Sequence, residues 1–269
     1  MSETYDVYAV QYARSQRPSR DFFMYKDPHD GPLPIFYYVW LIRNEHRAIV
    51  VDMGFSAEMG QKRGREFLRC PGEGLRVLGV DPAEVETVVV THMHYDHAGN
   101  VPLFPRATFV LQDAEMQFAT GRDMRHKPMR MAFEVEDVVD LVRRNFEGRV
   151  RFVNGMEEIA PGVCVHHVGG HTRGLQAVSV ETARGRLVLA SDAVHFFENM
   201  TETNPFPIVA DVGHMFDGYE RLLRLAGDPD RLIPGHDPLV AELYPAAAGD
   251  PMIFELSKAP LRPSPLSGR

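Results

Sequence analysis

Cysteine is scarce in this chain: Cys70 and Cys164 are the only two among 269 residues, far apart and without a CxxC pair. That scarcity argues against a disulfide framework and against a thiolate zinc site. Positive charge is in the minority, with 29 Lys and Arg against 37 Asp and Glu and a formal net charge of −8. A phosphate backbone demands clustered cations, so nucleic acid is not expected as a partner. No apolar run approaches the ~20 residues a membrane span needs, and the longest, Ile35 to Ile42, is strand-sized. The first residues, MSETYDVYAVQYARS, have no basic segment leading into an apolar one, which reads as no secretory signal. The expectation is a cytoplasmic protein with no membrane partner.

A chain of this length can bury a full core and still form one domain. Its 44% hydrophobic and 25% charged residues are those of an ordinary globular protein. No linker or repeat divides it. Residues 1–257 therefore read as a single domain, and the Pro- and Ser-rich end, 258–269, reads as a loose tail. IFYYVWLI from Ile35 and AIVVDMG from Ala48 read as strands joined by a turn. Ser56 is placed as the N-cap of a helix reaching Arg69. Val85 to Val90 is a buried β-branched strand. ATFVLQ follows, with a helix from Asp113 and a longer one over Pro128 to Arg144. Strands recur at 150–153, 163–168, 176–181 and 186–190, before a helix over Val212 to Ala226 and a short strand at Arg231 to Ile233. Two groups of strands, each with helices, fit an α/β fold in which two sheets pack face to face with helices outside.

The densest chemistry follows the strand at Val85 to Val90. In THMHYDHAGN, His92, His94, Asp96 and His97 fall within six positions. On an extended segment His92, His94 and Asp96 would point to one side, because side chains alternate. A turn just after them would carry His97 to an adjacent centre, with Ala98 and Gly99 leaving room for it. Neutral imidazoles with a carboxylate suit borderline divalent metals, zinc (Zn2+) above all, with Fe, Mn or Co also accommodated. A His-rich surface loop is the alternative, and four such residues directly after an apolar strand argue against it. His29, His46, His126 and His214 lack partners at motif spacing and read as surface or packed histidines. Of His166 and His167, one is expected to face the core and the other solvent.

THMHYDHAGN resembles the HxHxDH signature of the metallo-β-lactamase superfamily. VGGHTRGLQ around His171, LASDAVHF with Asp192 and LIPGHDP with His236 resemble the family's further ligand loops. VVDMG resembles its short Asp-x-Gly element, in which Asp52 would brace the site. The likeness runs from about Ile35 to Pro238. It implies the αββα four-layer sandwich of the metallo-β-lactamase fold and two divalent metal ions. One would sit on His92, His94 and His171, the other on Asp96, His97 and His236, with Asp192 bridging. It also implies hydrolysis, the cations making water a nucleophile near pH ~7, with Asp96 able to take a proton.

Within the superfamily the chain is most similar to the N-acyl homoserine lactonase-like branch, which shares its length, its acidity and the closing Gly235-His236-Asp237. That resemblance implies a small-molecule substrate, a lactone or carboxyl ester with N-acyl homoserine lactones first, and hence quorum quenching. A homodimer is left open. Many of these lactonases place a Tyr three residues after the bridging Asp, against the lactone. Here that position is His195, which can donate a hydrogen bond or a proton. Phe22 to Tyr25, Phe196, Phe197, Met200 and the NPFPI run from Asn204 would either line an apolar channel or pack in the core. A glyoxalase II-like thioesterase shares all seven ligands, but the segment after His236 has no Lys or Arg before Lys258 to hold an anionic carrier. Thioester or phosphodiester hydrolysis on the same metals is the alternative.

Overall fold

The computed structural model describes residues 3–25 and 31–267. The apolar run from Ile35 lies in strand Pro32–Arg43. Its Tyr38, Trp40 and Ile42 enter one cluster of buried residues, and Tyr37, Val39 and Leu41 enter another. A strand covered on both faces has no polar alternation, so its sequence reads as one continuous apolar stretch.

Around that strand the first sheet has the order Ala246–Ala247, Asp250–Glu255, Asp6–Pro18, Pro32–Arg43, Ala48–Val51, Thr87–Val89, Thr108–Gln112, Val150–Val153. Glu66–Phe67 adds to Asp6–Pro18. The second sheet runs Leu232–Pro234, Gly185–Ser191, Gln176–Thr182, Val163–His167, Met156–Ala160. Trp40, Val51, Val89 and Val110 of the first meet Val165, Val178, Leu187 and Leu189 of the second in a shared core. Each such buried aliphatic side chain contributes roughly 1.5–3 kcal/mol. Leu75, Phe118 and Leu141 bring helices onto the outer face of the first sheet. Helix Val212–Ala226 covers the second through Met215, Tyr219 and Leu222. The architecture is the expected four-layer αββα sandwich.

The topology places the chemistry. Ala48–Val51, Thr87–Val89 and Thr108–Gln112 run parallel, as do Gly185–Ser191 and Leu232–Pro234. Parallel strands end at a common edge, and the loops beyond their carboxyl ends enclose crevices. Asp52, the segment His92 to His97, Asp192 and His236 all follow such ends.

Several elements differ from the sequence expectation. Strands Asp6–Pro18, Glu66–Phe67, Met156–Ala160, Ala246–Ala247 and Asp250–Glu255 are additional to those read from periodicity. The helix after Ser56 stops at Arg63, because Gly64 takes a left-handed φ of 63° and turns the chain into Glu66–Phe67. Ser56 caps it as expected, its Oγ accepting from the Met59 N–H at 3.2 Å. The helix expected over Pro128 to Arg144 is two, Lys127–Arg130 and Val135–Phe146, with Phe133 buried between them. The end of the chain is docked as far as Ser267: Leu266 is buried, and Ser264 N–H and Ser267 Oγ donate to Asp230. Cys70 and Cys164 are free thiols. Among the described residues no helix is long and apolar enough to cross a membrane.

Candidate metal centre and its cleft

His92 and His94 follow the end of strand Thr87–Val89. The chain then enters a single helical turn, Tyr95–Ala98, with His94 at its N-cap. Asp96 therefore does not continue the alternation of His92 and His94. The turn carries Asp96 and His97 together to a second group, and the Tyr12 hydroxyl holds it by donating to the Asp96 carbonyl at 2.9 Å. Gly99 serves close approach here: a Cβ at that position would stand 2.6 Å from the Gly54 carbonyl oxygen.

Two sets of candidate ligand atoms result. Those of His92, His94, His171 and Asp192 lie within 4.8 Å of one another, as do those of Asp96, His97 and His236. His94 Nδ1 is 3.0 Å from His92 Nε2 and 2.9 Å from His171 Nε2, so three ring nitrogens crowd one point. The Asp192 carboxylate stands between the sets. Its Oδ2 is 3.2 Å from His171 Nε2 and 3.7 Å from His92 Nε2. Its Oδ1 is 3.1 Å from His97 Nε2 and 3.0 Å from His236 Nε2. His97 Nε2 and Asp192 Oδ1 are buried and have no aligned hydrogen bond. Buried polar atoms in proteins are normally paired, and imidazole and carboxylate atoms left unpaired where they converge are what a cation-binding set requires. Imidazole nitrogens and carboxylates without thiolate suit borderline divalent cations.

The candidate ligand rings are held from behind. Asp52 Oδ2 accepts from His97 Nδ1–H at 2.7 Å and from the Thr91 hydroxyl at 2.8 Å, and Oδ1 accepts from the Thr91 N–H at 2.8 Å. His236 Nδ1–H donates to the Phe36 carbonyl at 2.8 Å. Both contacts leave Nε2 as the free nitrogen and turn it toward Asp192. Thr91 Oγ1 lies 2.9 Å from Ser191 Oγ and so ties the two sheets together beneath the site. Asp52 and Ser191 have left-handed φ values of 63° and 47° without being glycine, local strain next to the centre.

The electrostatics follow from burial. It pushes His92 and His94 well below the ordinary imidazole value, which keeps their lone pairs available. Burial also opposes charge on His97, but Asp192, Asp52 and Asp96 outweigh it and hold its pKa well above that value. His236 is raised in the same way, against burial, by Asp192 and Asp96. Burial would raise Asp192, yet His195, His97 and His236 around it keep it well below the usual carboxylate range.

Motif reading missed Glu115. It lies in the first turn of helix Asp113–Ala119 and is wholly buried. Its Oε1 accepts from the Met93 N–H at 2.9 Å, and its Oε2 from the Thr172 hydroxyl at 2.6 Å and the Gly174 N–H at 3.0 Å. It thus bolts the His92–His94 segment to the His171 loop. Nothing in its own neighbourhood of the sequence signals this, since both partners come from distant segments.

His195 is buried, and its Nε2 lies 3.0 Å from Asp192 Oδ2. Its ring stacks on Phe206 at 3.7 Å with planes 3° apart. Burial drives its pKa down to about 3 although Asp192 opposes that shift. Its nitrogen also falls in a third group with those of Asp192 and His236. The cleft above these residues has a volume of about 380 Å³. Phe22, Phe206 and Ile208 form its apolar wall, and Arg17, Arg20, Arg63 and Arg65 stand on its walls. Phe196, Phe197 and Met200 are buried in the core and do not line it. His46, His126 and His214 are exposed, as expected. His166 and His167 are both half-buried, bonded to Ser179 Oγ and to the Arg173 carbonyl, so neither is the purely core or purely solvent residue anticipated. His29 lies outside the described residues.

The fold and this centre define a class, and the comparisons agree: the family model described as the metallo-beta-lactamase superfamily matches residues 33–236. The chain belongs to that superfamily. Among curated proteins it is 28% identical over 190 residues to an N-acyl homoserine lactonase of Bacillus sp, covering 65% of this chain and 69% of that protein. It is 27% identical over 237 residues to the N-acyl homoserine lactonase AttM of Azorhizobium caulinodans, covering 78% and 83%. Among solved structures, an N-acyl homoserine lactone hydrolase with the product N-hexanoyl-L-homoserine at its catalytic metal centre superposes with a TM-score of 0.72 at 20% identity, covering 89% of this chain and 95% of that one.

Proposed function

We propose that this chain is a two-metal hydrolase that opens lactones or carboxyl esters, with N-acyl homoserine lactones as the first candidates and quorum quenching as the consequence. The observation that carries the reading is one carboxylate, Asp192, placed between two sets of imidazoles. We assign His92, His94 and His171 to one cation and Asp96, His97 and His236 to the other, with Asp192 shared. Zinc is the first choice of metal. The names of the curated relatives support a lactone as substrate. The low cysteine count accords with a reducing, cytoplasmic setting, and the reading treats residues 1–257 as one domain.

Two divalent cations would supply Lewis acidity to the scissile carbonyl and lower the pKa of water to about 7. The chain does the rest. Asp52 and the Phe36 carbonyl fix which nitrogen of His97 and His236 faces the centre. Asp96, less buried than the other ligands, opens onto the cleft and can take a proton there. His195, held flat by Phe206, faces the cleft at the position where many lactonases of the branch it resembles carry a Tyr, and offers a hydrogen bond to the substrate. The apolar wall of Phe22, Phe206 and Ile208 can cover an acyl chain, each buried methylene contributing about 0.8 kcal/mol.

The test is protein loaded with zinc and assayed against hexanoyl-homoserine lactone, a thioester and a phosphodiester. Turnover should be fastest on the lactone. A clear preference for either other substrate would replace this reading with the corresponding hydrolase on the same metals.

A further inference from the structure

The cleft has an electrostatic feature that hydrolysis of a neutral lactone does not use. Its walls present four arginines in a protein of net charge −8. Three of them are engaged, Arg20 among them. Arg17 pairs with Asp21 at 2.8 Å. Arg63 pairs with Glu134 at 2.6 Å, donates to the Met131 carbonyl, and lies over the Tyr95 ring at 4.0 Å. Arg65 is different. Its Nε–H donates to the Tyr95 hydroxyl at 3.1 Å, and among the described residues it forms no ion pair. Its two terminal amino groups have no hydrogen-bond partner among those residues.

Arg65 is also fixed in place. Helix Ala57–Arg63 ends at the left-handed Gly64, and the Arg65 N–H bonds back to the Gly60 carbonyl at 2.8 Å. Arg65 is half-buried beside the hydroxyl of Tyr95, over whose ring Arg63 lies. Partial burial opposes its charge, but Tyr37, Tyr95 and the nearby Asp96 outweigh that and keep it protonated. An immobilised guanidinium with its fork unspent is the arrangement that binds a carboxylate through two parallel hydrogen bonds.

We propose that Arg65 is the anion-binding group of this cleft and that the preferred substrate carries a carboxylate in addition to its scissile ester. This rests on the reading of the site as a lactone- or ester-opening centre and narrows its substrate class. A lactone acylated with a dicarboxylic acid fits: the ring faces Asp192 and the ligand histidines, the methylenes cross the wall of Phe22 and Ile208, and the distal carboxylate meets Arg65.

Homoserine lactone acylated with adipic acid and its terminal amide have the same length and differ in charge. Zinc-loaded protein should have a kcat/KM for the acid about ten-fold or more above that for the amide, the usual scale of a charge-assisted pair. R65Q should abolish that ratio, and R65K should retain part of it. Calorimetric binding of the two ring-opened products, which share the homoserine carboxylate and differ only in the distal acid or amide, reads the same preference without turnover, again expected in the wild type and lost in R65Q. If neither lactone is opened but the acid product is still preferred through Arg65, the lactonase reading fails and the anion site stands. Equal binding of the acid and amide products by the wild-type protein, which requires no variant to fold, overturns the anion site. So does a preference that survives R65Q.

Discussion

The floor and the mouth of this one cleft are built by different rules. On the floor, His92, His94, His97, His171, Asp192 and His236 are buried. Asp52, Thr91, the Phe36 carbonyl and Glu115 hold these residues or the loops that carry them. At the mouth, Met131 is 53% exposed, and the arginines come from the first strand, from the short segment after it and from the end of a surface helix. A centre that positions reacting atoms tolerates little displacement, so its side chains are over-determined. A mouth that selects substrates can be altered on segments that carry no ligand, leaving the floor intact. The difference teaches that the reaction class is written in the floor and the substrate in the mouth.

The largest effect should come from the floor. Asp192→Ala removes the carboxylate that stands 3.0–3.2 Å from His236, His97 and His171. Activity should fall by about 100-fold or more, and elemental analysis should show metal content well below two per chain. A variant with full metal content and near-normal turnover would mean that Asp192 is not shared between the two groups.

Next in size is the brace beneath the floor. Glu115→Ala strips three hydrogen bonds and leaves the buried N–H groups of Met93 and Gly174 unsatisfied. The cost should be about 3 kcal/mol in a denaturant titration. Glu115→Gln should recover only part of it, because an amide NH2 in place of Oε2 would face the Gly174 N–H, donor against donor. An unchanged midpoint in the alanine variant would show that other contacts hold the two ligand loops.

A smaller effect is expected where floor and mouth meet. His195→Phe keeps a ring to stack on Phe206 but removes both nitrogens. Turnover should drop by about ten-fold, the low end of what a positioned hydrogen-bonding group contributes, with metal content unchanged. His195 is also grouped with Asp192 and His236, so a large loss of metal would move it from the mouth to the floor and redraw the boundary between them.

The legibility of the two regions differs for the same physical reason. The HxHxDH segment, His171, Asp192 and His236 each sit in short local patterns at strand ends, and local patterns survive in a linear sequence. So do the continuous apolar run of Pro32–Arg43, buried on both faces, and the Ser56 cap. Helix Val212–Ala226 has the bounds that its apolar spacing predicts. Other features depended on partners far away in the chain. Strand Asp6–Pro18 is defined by pairing on both sides, with Asp250–Glu255 and with Pro32–Arg43. Phe206 lines the cleft while Phe196 packs in the core, though both belong to apolar segments that read alike. Glu115 is an ordinary helix residue until the His92–His94 and His171 loops close over it. Arg65 is an ordinary surface arginine until Gly64 turns it toward Tyr95 beside the centre. The sequence by itself determined the candidate ligand cluster and the layers, because strand-end motifs and burial periodicity are local properties. Which carboxylate bolts the loops together, and which arginine is fixed beside the centre, was decided only by tertiary structure, because those contacts join segments whose spacing carries no periodic signal.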